Sequence, residues 1–190
     1  MKARSLLLCW LVVSLLLLIG IEMLLGSTAT WAAQPPRQIA ADPLDVVINE
    51  VAWAGSGASS ADEWIELKNN TSSPVTLIGW TLVAADGTPN IALTGTIPAD
   101  GYFLLERSAD NAVSDIPADQ IYTGVLNNAG ESLTLRDESL NVIDTANADG
   151  GGWPGGTTSA GSPPCASMER LDPTAAAGDA NWGTNDGLTR

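Results

Sequence analysis

The groups in this 190-residue chain that could do chemistry are carboxylates. Glu63 and Glu66 fall within Ala61-Asp-Glu-Trp-Ile-Glu-Leu-Lys-Asn-Asn70, and two acids flanking a glycosidic bond can act as general acid and nucleophile. Their spacing argues against that use. An odd separation along a strand points the two side chains to opposite faces of a sheet, so they cannot grip one bond. A second pairing, Glu50 with Glu66, stays open if their strands are neighbours. It reads either as the acid pair of a hydrolase or as carboxylates accepting hydrogen bonds at the edge of a sandwich.

Other chemistries lack their reagents. The chain has no histidine, which removes Ser-His-Asp and Cys-His catalysis and the usual zinc sites. Cys165, in Ser162-Pro-Pro-Cys-Ala166, has no basic residue nearer than Arg170 to lower its thiol pKa, and reads as an incidental thiol. No glycine-rich phosphate loop occurs. Thr145-Ala-Asn-Ala-Asp-Gly150 approaches the start of a calcium loop, but Thr stands where the first Asp belongs and no Glu closes the ligand set. The expectation is no catalytic residue, no metal and no cofactor.

Tryptophan is the other group with a use. Trp53 precedes Ala-Gly-Ser-Gly57, Trp153 sits in Gly150-Gly-Gly-Trp-Pro-Gly-Gly156, and Trp182 lies in Asn181-Trp-Gly183. Rings on loops stack on sugars or anchor protein partners; the same rings can plug the ends of a sandwich. Trp53, Trp153 and Trp182 are therefore the candidate binding residues. Asn69 and Asn70 both begin glycosylation acceptor patterns, a weak signal.

The elements that must hold these groups are short and rich in Val, Ile, Leu and Thr, with Gly, Asn, Asp and Pro between them. That pattern predicts strands at about Val46 to Trp53, Glu63 to Asn69, Val75 to Ala84, Ile91 to Thr94, Tyr102 to Arg107, Ser132 to Asp137 and Asn141 to Thr145. The fold class is all-β, an antiparallel sandwich of about seven to nine strands. Period-two alternation predicts a core of Ile65, Leu67, Ile78, Trp80, Leu82, Phe103, Leu105, Leu133 and Leu135, with Leu77 facing away from Trp80 and with Trp64, Glu66 and Lys68 outward.

The first residues belong to something else. Lys2 and Arg4 precede an uncharged run from Leu6 to Ile21, and Ser27-Thr-Ala-Thr-Trp-Ala-Ala33 offers small residues to a signal peptidase. Residues 1–33 read as an export signal cleaved near Ala33, or as an uncleaved signal-anchor through residues 5–26. A Pro- and Ala-rich linker, 34–44, leads into a domain over 45–190. The expected location is secreted or extracytoplasmic. Beyond the leader only Cys165 remains, so no disulfide forms within the domain and packing must stabilise it. The net charge of −14 repels phosphate backbones, which sets nucleic acid aside as a partner.

Several segments, in order, resemble one family. Val47-Ile-Asn-Glu-Val51, Asp62-Glu-Trp-Ile-Glu-Leu-Lys-Asn69, Val75-Thr-Leu-Ile-Gly-Trp-Thr-Leu82, Ile97-Pro-Ala-Asp-Gly-Tyr-Phe-Leu-Leu105, Leu126-Asn-Asn-Ala-Gly-Glu-Ser-Leu-Thr-Leu135 and Ala166-Ser-Met-Glu-Arg-Leu-Asp-Pro173 together are similar to the lamin tail domain. The resemblance implies an immunoglobulin-like sandwich with Trp80 in its core and Asn69 closing a turn. It carries no catalytic residues, and it implies a binding or anchoring role toward a protein or cell-surface component; the alternative, a carbohydrate-binding module, rests on Trp53 and Trp153 as stacking platforms.

Overall fold

The computed structural model describes residues 41–185 and 187, all of them within one compact unit, Gln38–Arg190. The expected export segment and most of the linker lie outside the described residues. Among the described residues no helix is long and apolar enough to cross a membrane.

Among the described residues twelve strands form, rather than the seven to nine expected. They are β1 (Val46–Ala52), β2 (Trp64–Asn69), β3 (Val75–Thr76), β4 (Thr81–Ala84), β5 (Asn90–Ala92), β6 (Thr96–Ile97), β7 (Tyr102–Arg107), β8 (Gln120–Tyr122), β9 (Leu133–Arg136), β10 (Val142–Ala146), β11 (Met168–Arg170) and β12 (Trp182–Thr184). A six-stranded sheet runs β12-β11-β1-β2-β7-β8, a four-stranded sheet runs β10-β9-β4-β5, and β3 pairs with β6. Every pairing is antiparallel except β7 with β8.

The two larger sheets share one core. Ile65, Leu67, Phe103 and Leu105 of the larger sheet meet Leu82, Leu133 and Leu135 of the smaller one, with Trp80 in the same cluster. This is the sandwich that period-two alternation predicts, because each strand gives every second residue to the interior. The pattern is clearest in β2, where Ile65, Leu67 and Asn69 are buried and Trp64, Glu66 and Lys68 are not.

Ile78 is a correction: it is 66% exposed, whereas Leu77 is fully buried. The expected single strand from Val75 to Ala84 is broken by a tight turn in which the Trp80 amide donates to Leu77 O at 2.9 Å. Gly79, third in that turn, has φ 85°, a conformation glycine adopts without strain. The turn resets the alternation, so Leu77, Trp80 and Leu82 all face inward and Ile78 rides its outer corner.

Leu44, the last residue of the expected linker, is hydrogen-bonded to the sandwich. The Leu44 amide donates to Ile143 O at 3.0 Å, and Asn70 Nδ2 donates to Leu44 O at 2.9 Å. Asn69, as the resemblance implies, closes the turn after β2: its Nδ2 donates to Ser73 O and Pro98 O at 2.8 Å and its Oδ1 accepts from the Thr71 amide at 2.9 Å.

β11, between β1 and the edge strand β12, is pinned through the middle of the sandwich. Arg170 donates from Nε to Ile48 O at 2.9 Å, from one terminal nitrogen to Ala175 O at 3.0 Å, and from the other to the Asp144 carboxylate. Asp144 also accepts from the Ile48 amide at 2.8 Å, so one ion pair binds β1, β10 and β11 together.

Candidate functional site

The chemistry-bearing residues converge on the outer face of the six-stranded sheet. Antiparallel pairing sets Glu50 of β1 directly opposite Glu66 of β2 on one side and opposite Glu169 of β11 on the other. Three glutamates thus stand in a row across three adjacent strands. Neighbouring strands lie about 4.8 Å apart, so the row is about 10 Å long.

A bulge fixes this arrangement. The β1–β2 register shifts between Ile48 and Glu50, leaving Asn49 as the extra residue. Asn49 Nδ2 donates to Glu66 Oε1 at 2.8 Å, which shows that the bulge turns Asn49 toward the same face as Glu50 and Glu66. Glu50 Oε1 in turn accepts from Ser167 Oγ and, at 2.7 Å, from Asn185 Nδ2. The segments flanking β11 and β12 therefore hold Glu50, while β1 itself holds Glu66. Burial raises the Glu66 pKa above the usual carboxylate value; the Asn49 bond opposes this and the neighbouring Glu50 charge reinforces it.

A loop builds one wall. Glu106 of β7 points to this face yet is fully buried, because its carboxylate accepts from the amides of Asn111, Ala112 and Val113 at 2.7, 2.9 and 2.8 Å. Asp119 fastens the other end: its Oδ2 accepts from the Leu104 amide at 2.8 Å and its own amide donates to Leu104 O at 2.9 Å. The loop so tied lays Val113 and Ile116 beside Leu104. Trp64 and Tyr102 complete a groove of about 440 Å3 that opens over Glu50, Glu66 and Glu169. Among the described residues none that lines it is basic. Lys68 lies alongside, its ammonium 4.4 Å from the centre of the Tyr102 ring and 3.0 Å from its hydroxyl.

Glu63 has gone elsewhere, as its odd spacing from Glu66 requires. It is buried, paired to Arg107 at 3.1 Å, and accepts from the Leu126 amide at 2.9 Å. Burial raises its pKa, against the opposing Leu126 and Arg107 bonds. Glu50 and Glu66 do come together, but side by side on adjacent strands rather than across a cleft, and each is already engaged by amide donors.

The expected tryptophan platforms are a second correction. Trp53 and Trp182 are each only 5% exposed and belong to the core. Trp53 Nε1 donates to Gly155 O at 2.9 Å, and Trp182 lies under the Arg170 guanidinium at 4.9 Å. Trp153 is half-buried, stacked on Trp53 with centroids 6.1 Å apart and planes 8° from parallel, and its Nε1 donates to Asn127 O at 2.8 Å. The glycine-rich loop is what permits this. A Cβ on Gly156 would lie 2.6 Å from Trp53 Nε1, and one on Gly130 would lie 1.9 Å from Gly151 O.

The weaker motifs resolve in the same way. Asn147, within the calcium-like stretch, donates to Glu131 O and Gly151 O as a turn-former. Among the described residues no group of three or more His, Cys, Asp or Glu is arranged to hold a metal. Both glycosylation-pattern side chains are occupied, Asn69 as above and Asn70 by Leu44 O and Pro173 O. Cys165 is half-buried and unpaired, at φ 53°.

A family model for the lamin tail domain matches residues 40–149, more than half of the chain. The chain belongs to the lamin tail domain family. A comparison with curated proteins found no match. The lamin tail match covers β1 to β10, so it includes Glu50, Glu66, Glu106 and the Val113 and Ile116 wall. Glu169, Ser167, Asn185 and the Arg170 clamp lie beyond it, on the segment that adds β11 and β12 to the sheet.

Sequence reasoning missed Glu106, Asp119 and Ser167. Glu106 carried a signal, a carboxylate at an outward position of Tyr102-Phe-Leu-Leu-Glu-Arg107 followed by a polar loop without strand pattern. Asp119 and Ser167 carried none.

Proposed function

We propose that this lamin tail domain protein is a non-catalytic binding and anchoring module acting outside the cytoplasm, with the groove on its six-stranded sheet as the face offered to a protein or cell-surface partner. The observation that carries this reading is the construction of the groove. A bulge, a loop tied down by three backbone amides donating hydrogen bonds to Glu106, and the side-chain amides holding Glu50 and Glu66 fix its shape before any partner arrives. A preformed concave surface with aromatic and apolar walls and a few convergent polar groups is the usual form of a binding site. The charged leader and the uncharged run from Leu6 to Ile21 support the location. Affinity capture from the native envelope with the wild-type chain and with Trp64→Ala tests it. A partner recovered by the former and lost by the latter is expected; equal recovery by both removes the groove from the reading.

One observation favours a glycan as the partner instead: Trp64 and Tyr102 line the groove together with Asn49 and Asn185, the aromatic and amide pairing that recognises sugars. A glycan array separates the two. Glycan binding abolished by Trp64→Ala and untouched by Trp153→Ala would select the sugar reading.

A further inference from the structure

We infer that the groove takes a lysine or arginine side chain from an extended basic segment of a protein partner, an inference that rests on the groove being the binding face. Charge complementarity is the first argument. Glu169, Glu50 and Glu66 stand in register across β11, β1 and β2, Asp119 adds a fourth carboxylate at the wall, and among the described residues no lining side chain is cationic. Lys68, a basic neighbour on this face, sits on Tyr102, and its charge is the smallest of the influences on Glu66.

The second argument is where the protein's own donors go. Among the described residues, the side-chain donors to Glu50 and Glu66 all reach Oε1, from Ser167 and Asn185 for the one and Asn49 for the other. Each carboxylate keeps acceptor capacity on Oε2. An ammonium brings three donors and a guanidinium five, enough to bridge two neighbouring carboxylates at once. A neutral sugar hydroxyl would satisfy acceptors but bring no positive charge to Glu50 and Glu66. Burial already penalises the ionised form of Glu66, with Glu50 adding to the penalty and Asn49 and Lys68 opposing it, and an entering cation offsets it further by its opposite charge.

The third argument concerns the walls. Leu104, Val113, Ile116 and the Trp64 ring offer apolar surface beside the acids, and the long stems of Lys and Arg bury along such surface while their heads remain charged. A groove of about 440 Å3 is larger than one ammonium and suits a long side chain with part of its flanking backbone. A small free amine would fill the acid row and leave the apolar wall uncovered, so the source assigned is a peptide segment.

The test uses the full chain and a fluorescein-labelled octapeptide alternating Lys with Leu, read by anisotropy at low salt, beside the same peptide with norleucine in place of Lys. Binding of the Lys peptide alone is expected. Glu66→Gln and Glu50→Gln should each weaken it about tenfold, the loss of a charge-assisted hydrogen bond. Glu138→Gln with Asp100→Asn, which removes the same kind of charge outside the groove, should change it less than twofold. Circular dichroism confirms that each variant folds. Equal losses in the groove and control variants would mean that the peptide reads net charge alone, and would overturn the inference. Equal binding of the norleucine peptide, or displacement of the Lys peptide by a neutral glycan, would overturn it too. If envelope capture is still lost in Trp64→Ala while no basic peptide binds, this inference fails and the binding-module reading survives.

Discussion

Replacing Arg170 with Met tests how the sandwich is closed. The Arg170 side chain is completely buried and that of Asp144 is 3% exposed, so water cannot take over for either when its partner leaves. Methionine keeps the stem and its packing but deletes the donors to Ile48 O, Ala175 O and Asp144, and the cation over Trp182. Asp144 is left with the backbone amides of Ile48 and Thr145 as its donors. Removing one member of a buried ion pair costs about 3 to 5 kcal/mol, and the low exposure here puts the expected loss near the upper half of that range. Against a total stability of about 5 to 15 kcal/mol, Arg170→Met should leave a folded but fragile domain. Urea titration followed by circular dichroism reads the loss as a shift in midpoint. Asp144→Met combined with Arg170→Met should recover part of it, because replacing both partners by apolar groups removes the buried charge altogether. Acidification offers an independent check. Without the guanidinium the Asp144 carboxylate is uncompensated, its folded-state pKa rises, and Arg170→Met should regain stability relative to wild type as the pH falls toward the new value. A loss under about 1 kcal/mol for Arg170→Met would refute the clamp. So would a double variant as unstable as the single one.

Other substitutions probe the facing of side chains and one titrating group. Trp80→Ala should cost about 3 to 5 kcal/mol by opening a cavity between the sheets, whereas Trp153→Ala, losing a stacking contact and one hydrogen bond, should cost about 1 to 2 kcal/mol; the same urea titration orders them. Ile78→Ser should lie within about 0.5 kcal/mol of wild type, since the side chain is on the outer corner of its turn; a larger loss would restore the alternation expected from sequence. Glu131, buried beside Asp86, has its pKa raised by burial to about 7. The folded state therefore holds a proton that the unfolded chain releases near the ordinary carboxylate value of 4.5. Stability should fall as pH rises from that value through about 7. Glu131→Gln should flatten the dependence in midpoints measured from pH 5 to 8.

What was legible in the sequence depended on regular alternation. In β2 buried and outward residues alternate, so Ile65 and Leu67 declared their faces; in β7 the spacing of Phe103 and Leu105 placed them on one face although Leu104 between them is apolar and buried too. Alternation failed where the backbone changed course inside an apolar run. Leu77-Ile-Gly-Trp80 contains a turn whose only mark is one glycine, and Ile78 was misassigned because three neighbouring apolar residues look the same in either frame. The bulge at Asn49 is equally silent, since an inserted residue in a strand changes no composition, yet it decides that Asn49 joins Glu50 on the outer face. The strands missed, β6, β8, β11 and β12, are two or three residues long, too short to show a period. For the loop tryptophans, glycine around a ring signalled exposure, whereas here it admits backbone close enough to cover the ring.

The segment beyond the family match ties the core to the groove. Within four residues, Ser167 holds Glu50 on the outer face, Met168 enters the core, Glu169 extends the acid row and Arg170 passes inward to Asp144. Alternation along β11 makes this possible, since neighbouring residues must serve opposite faces. The arrangement couples closure of the core to alignment of the acid row. A substitution on the inner side, such as Arg170→Met, frees β11, and with it the hold of Ser167 on Glu50 and the register of Glu169 with the row. The acid row should therefore lose its alignment before the sandwich as a whole unfolds, because β1, β2 and β7 are zipped to one another independently of β11. Hydrogen exchange on Arg170→Met should accordingly show the β11 amides opening at lower cost than those of β2 and β7. Uniform loss of protection across all the strands would mean that the sandwich and its last hairpin form one cooperative unit.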